Sequence, residues 1–356
     1  MTVKNVLLQN FRNHQKTRFS FAPTTVIIGP NTVGKTNILE AFYILSFGKS
    51  FRAENDRDTI QEGKDFFRIE ATIADETDTK TLTVIFAASA KYLSKKFLVN
   101  KVARRHIDFA AQFFTVLFTP QDIEIITDAP SLRRNYINSI LYQAGKPYRQ
   151  TLLTYEKCLR QRNRMLYDLK DGRKDYRASD FDYWDNILIE NGNFLTKKRE
   201  EFVNFVNSSK KDMFDFKVFY DKSIISTERL FKYHFQERLA GMTLVGPQRD
   251  DFVFLFQTKR NVAPNVTSKK VSEFGSRGEQ RLTILQMKLL EIEYLRQTTN
   301  DKPILLLDDI FSELDDKNIN KIFDYIYNQQ TIITTTHREF VPKKILNKKE
   351  VEIIEL

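Results

Sequence analysis

The densest chemistry in the chain lies in Gly29-Pro30-Asn31-Thr32-Val33-Gly34-Lys35-Thr36. Two glycines five positions apart, followed at once by lysine and a hydroxyl residue, form a phosphate-binding loop. Gly29 and Gly34 permit backbone conformations that turn successive N–H groups onto an anion. The Lys35 ammonium can reach β- and γ-phosphates, and the Thr36 hydroxyl can ligate Mg²⁺. A helix starting here would add the positive end of its dipole. A purely structural turn has no use for Lys and Thr at these two places.

Three further constellations lie far downstream. Asp308 and Asp309 end the apolar run Ile304-Leu305-Leu306-Leu307. An acidic residue at the end of a buried strand can hold Mg²⁺, the role expected of Asp308, while Asp309 can orient or deprotonate an attacking water. Both could equally do no more than terminate the strand. Ser276-Arg277-Gly278-Glu279-Gln280 opens a helix. It reads either as an anion site made by Ser276 and free helix N–H groups or as a capping box between Ser276 and Glu279. His337 follows the β-branched run Thr331 to Thr336. There an imidazole can meet a γ-phosphate or the attacking water. His14, His106 and His234 have no metal-ligand spacing.

These residues need a sheet with helices to hold them. Thr24 to Ile28 is β-branched and stops at Gly29-Pro30, and Thr36 to Leu45 has Ile38, Leu39, Phe42 and Leu45 spaced along one helical face. Phe66 to Ala74 with Lys80 to Phe86, and Phe97 to Val99 with Val102, predict antiparallel hairpins. Between about residues 122 and 241 strand signals fade, and Leu152 to Leu169 and Trp184 to Val206 read as long helices. Strands return at Asp251 to Gln257 and at Ile304 to Leu307, an uninterrupted apolar run suited to a parallel strand covered on both faces. The expected fold is α/β: an ABC-type phosphate-loop ATPase lobe with a mixed sheet and an antiparallel portion, from residues 1–122 and 246–356, and an inserted, mainly helical domain at 123–245.

Composition narrows the class of partner. The chain has 356 residues, 56 Lys plus Arg against 46 Asp plus Glu, and one cysteine, so a disulfide framework is impossible. No apolar run approaches the roughly 20 residues that span a bilayer, and no signal peptide is read at the start, so the expected location is the cytoplasm. The net charge of +10 favours a polyanion. Lys157, Arg160 and Arg164 share a helical face, and Lys197-Lys198-Arg199 and Lys343-Lys344 are further clusters; each also reads as a solvated face. With no base-reading motif, any DNA contact should be to backbone and shape.

The order of phosphate loop, Ser-x-Gly-Glu-Gln element, Asp308-Asp309, Ser312-Glu313-Leu314-Asp315 and His337 resembles the ABC-type ATPase heads of DNA-repair and chromosome-organising proteins. More narrowly it resembles the RecF family of recombination mediators. Leu8 to Asn13, Gly48 to Arg52, Phe118 to Asp122, Pro130 to Arg134, Gly246 to Asp250 and Asp308 to Asp315 carry that likeness over nearly the whole chain.

The resemblance implies ATP sandwiched in an ATP-dependent homodimer, the loop of one subunit facing Ser276 and Gly278 of the other. It also implies Asp315 at that interface, Arg12 among the nucleotide contacts and Gln121 on Mg²⁺. It implies binding to single- and double-stranded DNA at gaps and junctions, RecR and RecO as partners, RecA loading as outcome, and a weak, DNA-stimulated ATPase. Gln121 replaces the family's usual Glu, Asn138 an expected Asp, and Asp309 stands where transporter ATPases carry Glu. The rival readings are a membrane-transporter ATPase subunit, a nuclease head and a chromosome-organising head. For the last, an insertion of about 120 residues is too short for long coiled-coil arms.

Overall fold

The computed structural model describes residues 1–75, 78–88, 92–110, 112–173, 175, 177, 179–257, 269–312, 316–346 and 350–356. Its strands are β1 (Thr2–Phe11), β2 (His14–Ser20), β3 (Thr24–Ile28), β4 (Phe66–Ala74), β5 (Thr79–Ala88), β6 (Leu93–Val99), β7 (Val102–Arg104), β8 (Thr115–Phe118), β9 (Phe216–Asp221), β10 (Asp251–Phe256), β11 (Ile304–Asp308), β12 (Thr331–Thr335) and β13 (Val351–Glu355). Two compact units result, residues 1–122 with 291–356, and residues 123–290.

The first unit holds two sheets. One is parallel, in the order β13-β3-β12-β11-β8, and the other antiparallel, in the order β2-β1-β4-β5-β6-β7. The helix Lys35–Phe47 touches strands of both. Their shared core runs from Val6, Leu8, Ile69 and Val84 through Ile38, Phe42 and Leu45 to Ile27, Leu306 and Ile332. The one-face periodicity read for this helix therefore understates its burial. Ala41, Ile44 and even Glu40 are fully enclosed, because a helix between two sheets has no solvent side. Glu40 is tolerated there because Arg12 grips it bidentately, Nε to Oε2 at 2.9 Å and Nη2 to Oε1 at 2.7 Å.

The second unit packs the helices Pro130–Ala144, Lys146–Lys170, Ser179–Ser208 and Thr227–Ala240 with an antiparallel pair, β9 and β10. The expectation that strands fade between 122 and 241 is corrected by β9. Its alternation of buried Phe216, Val218 and Tyr220 with exposed Lys217, Phe219 and Asp221 is a half-buried strand, short enough to be lost among helical patterns. The second unit extends to residue 290, and β10 pairs with β9 within it, whereas the sequence pattern assigns residues from 246 onward to the ATPase lobe.

A buried ion network knits this unit. Arg199, 2% exposed, donates to Asp250 Oδ2 at 2.7 Å, to the Pro247 carbonyl at 2.7 Å and to Asn138 Oδ1 at 2.9 Å. The Tyr148 and Tyr220 hydroxyls complete it on Asn138 and Asp250. Burial pushes the Arg199 guanidinium down, but Tyr148, Asp250 and Tyr220 outweigh it and hold the group above its ordinary value. Arg199 is thus unable to join a solvated basic cluster with Lys197 and Lys198. The Asn138 amide oxygen accepts two hydrogen bonds where the resemblance anticipated a carboxylate.

Candidate nucleotide-binding site

The site is built where neighbouring parallel strands end. Register sets Thr334 beside Asp308 and Thr335 beside Ile28, so the phosphate loop after β3, the carboxylates after β11 and the chain leaving β12 emerge at one edge. Gly34 has φ 108°, and a Cβ there would stand 2.6 Å from the Asn13 amide atoms. Gly29 is constrained otherwise: a Cβ would stand 2.9 Å from the Leu356 carbonyl oxygen. The two loop glycines therefore serve a left-handed backbone and a close backbone approach respectively.

A cavity of about 410 Å³ opens here, lined by Asn31, Thr32, Gly34, Lys35, Thr36, Asn37, Arg52, Gln121, Asp308 and Asp309 among others. Thr36 Oγ1 donates to Asp308, 3.0 Å from Oδ2 and 3.1 Å from Oδ1, across 272 positions of sequence. Thr334 Oγ1 donates to Asp308 Oδ1 at 2.6 Å and orients the carboxylate. The Lys35 ammonium donates to the Gly29 and Pro30 carbonyls at 2.6 and 2.8 Å. Asp309 sits at φ 50°, a left-handed conformation that Asp adopts more readily than most residues, and its N–H donates to the Thr334 carbonyl at 3.1 Å.

Burial opposes charge on both key groups. Desolvation lowers the Lys35 pKa against the pull of Asp309 and Asp308. Desolvation raises the Asp309 pKa against the charge of Lys35. An acid pushed up beside a base pushed down is the tuning expected of proton-transfer and phosphate-binding groups.

Lys35, Thr36, Gln121, Asp308 and Asp309 are thus brought together. Arg12 lies outside the cavity lining, with its guanidinium engaged by Glu40 and by the Asp58 carbonyl. His337 is exposed and lies edge-on to Phe340, and its charge acts on Asp309. Ser276 and Glu279 form the reciprocal capping box, with Glu279 N donating to Ser276 Oγ at 3.3 Å and Ser276 N to Glu279 Oε2 at 2.8 Å. Ser276 and Gly278 are exposed and belong to the second compact unit. Asp315 lies outside the described residues.

Three lining or supporting residues had no role assigned from sequence. Arg52 faces the cavity and donates to Asn37 Oδ1 at 3.3 Å. Asn13 donates to the Val33 carbonyl at 2.7 Å and accepts from Asn37 at 2.8 Å, which braces the loop from beneath. Asn13 and Arg52 are signalled in sequence only by the segments Leu8 to Asn13 and Gly48 to Arg52, and Asn37 only by following the phosphate loop directly.

A phosphate loop leading into a buried helix, with paired carboxylates at the end of a nearby parallel strand, defines an ABC-type ATPase head. The chain belongs to the RecF/RecN/SMC N-terminal domain family, whose model matches residues 2–353. It is 32% identical over 379 residues to the DNA replication and repair protein RecF of Halalkalibacterium halodurans, covering 100% of this chain and 98% of the relative. It is 34% identical over 370 residues to RecF of Lachnoclostridium phytofermentans, again covering 100% and 98%. Among solved structures, the recombination mediator RecF–ATP of the RecFOR pathway aligns with a TM-score of 0.85 at 28% identity, covering 96% of this chain and 93% of that one. These relatives favour the DNA-repair reading over the transporter rival. No described helix is long and apolar enough to cross a membrane.

Proposed function

We propose that the chain binds ATP with Mg²⁺ at this cavity and couples ATP hydrolysis to residence on DNA. ATP closes a homodimer over gapped or junction DNA, hydrolysis reopens it, and RecR and RecO work with it to promote RecA loading. The observation that carries this reading is the meeting of Lys35, Thr36, Asp308 and Asp309 around one cavity.

The donor set suits the metal. A hydroxyl, a carboxylate and the Gln121 amide are hard oxygen donors of the kind Mg²⁺ takes, and Thr36 and Asp308 would hold it with Gln121 nearby. Held there, Mg²⁺ would supply positive charge against the phosphate oxygens. The chain's own residues do the rest. Loop N–H groups and Lys35 bind the phosphates, Asp309 accepts a proton from the attacking water, and His337 orients that water. Ser276 and Gly278 of one subunit, with Asp315, meet the nucleotide of the other, and Arg12 acts through Glu40 to position the loop helix.

Lys35→Ala and Thr36→Ala test the reading directly, because each removes a contact that no neighbour replaces. Both should weaken ATP·Mg²⁺ binding by about 100-fold or more and abolish ATP-dependent dimerisation, read by light scattering. Dimerisation at the parental ATP concentration in both variants would defeat the assignment.

A further inference from the structure

The outer face of the antiparallel sheet carries a row of cations that appears only when strand register is known. Residues opposite one another in an antiparallel pair point to the same side. Phe19, Val6, Ala71, Leu82 and Val99 share the buried side, so their strand neighbours share the other. One outer row reads Lys16, Gln9, Arg68, Ile85, Lys96 from β2 to β6. The adjacent row reads Arg18, Leu7, Glu70, Thr83, Leu98. The next, from Ser20 through Asn5 and Thr72 to Thr81, is uncharged.

Across these rows, four cations face one carboxylate, Glu70, which already accepts from Arg68 and Thr83. Lys16, Arg18 and Lys96 are exposed. In sequence they are scattered over 81 positions and form no cluster. In the sheet they span four inter-strand steps, roughly 19 Å at about 4.8 Å each.

We infer that this face is a docking surface for the phosphate backbone of duplex DNA. The inference rests on the proposed function and adds the surface that function would use. Its charge is complementary to a phosphate backbone, and its length matches about five phosphates of one strand at about 3.4 Å each along the axis. A sheet face of five strands is too broad for a major groove about 12 Å wide, so contact is with the backbone and not with base edges. Lys95 points to the opposite side of β6, where it pairs with Asp56, and takes no part.

The test is duplex affinity with ATP across a salt series, for the parent and three variants. In Lys16→Gln/Arg18→Gln/Lys96→Gln, the slope of log K against log salt should fall in magnitude by about 2–3, at roughly 0.9 per lost phosphate contact, with ATP binding unchanged. Glu70→Gln should move affinity the other way by removing the carboxylate within the row. Lys157→Gln/Arg160→Gln/Arg164→Gln removes the same charge from exposed positions on the helix Lys146–Lys170 and should change the slope less. A parental slope in the sheet variant, or an equal loss in the helix variant, would overturn the surface while leaving DNA binding intact. Preference of the parent for phosphatidylserine vesicles over duplex would overturn it in favour of a membrane. A parent that binds no DNA in any nucleotide state would instead sink the proposed function, and this surface with it.

Discussion

Two places in the molecule bury opposite charges, and they are built to different ends. Around Arg199 and Asp250 each charge faces a partner already in contact: the guanidinium meets a carboxylate, a carbonyl and an amide, and the carboxylate also accepts from the Tyr220 hydroxyl and the Ser223 N–H. Lys35, whose ammonium rests on the Gly29 and Pro30 carbonyls, and Asp309 line a cavity of about 410 Å³. Burial raises the pKa of both Asp250 and Asp309, so low solvation alone does not separate a structural carboxylate from a functional one. What separates them is that the first carboxylate sits in a network closed by protein contacts, while the second lines a cavity that a ligand can enter.

The sharpest way to break this comparison is to change an aspartate to asparagine in each place. Asp309→Asn removes the group that would accept a proton from water, so ATP hydrolysis should slow by about 10²–10⁴-fold and the ATP-closed dimer should persist. Phosphate release and light scattering measure both, and a parental rate would remove Asp309 from its role. Its stability should move oppositely. The raised folded-state pKa makes the native protein bind the extra proton, so Asp309 costs stability as pH rises from its ordinary value of 3.8. At pH 7 the variant should be more stable than the parent, and the gain should vanish below that ordinary value. A variant less stable than the parent at neutral pH would show that Asp309 is a structural ion after all.

Asp250→Asn should do the reverse. It leaves the Arg199 guanidinium buried without its carboxylate, a loss of about 3–5 kcal/mol in denaturant unfolding. Replacing Arg199 by Met in the same chain should recover part of that loss, since the uncompensated charge is then gone. Equal stabilities for the single and double variants would mean the network is not coupled as its geometry indicates.

The smallest effect belongs to Ser276, where a local and an intersubunit role overlap. Ser276→Ala should cost about 1 kcal/mol through loss of the helix cap. Ser276→Arg should cost a similar amount and also block ATP-driven closure, while ATP still binds the phosphate loop. Normal dimerisation of Ser276→Arg would leave the capping box as its whole role.

Much of this is legible in the sequence. The phosphate loop is continuous in sequence, and so is the strand it follows, because eight consecutive residues must carry the whole pattern. Asp308 could be read from the apolar run before it, since a strand buried on both faces leaves no other place for charge than its end. The alternations of β4 and β5 were equally clear, as period-two patterns are local.

What escaped the sequence was whatever depends on elements far apart in the chain. Glu40 looks like a solvent-facing helical residue until two sheets close over it, and Arg12 then becomes its counter-ion. Arg199 looks like one of three adjacent cations until it meets Asp250, 51 positions on. The cations of the outer sheet face become neighbours only through strand register. Backbone patterns of turn, strand and helix are written in runs of a few residues, and the sequence by itself determined these. Partners for buried charge are chosen by packing, because the cost of leaving a charge alone is paid only in the folded interior, and only the tertiary structure could decide them.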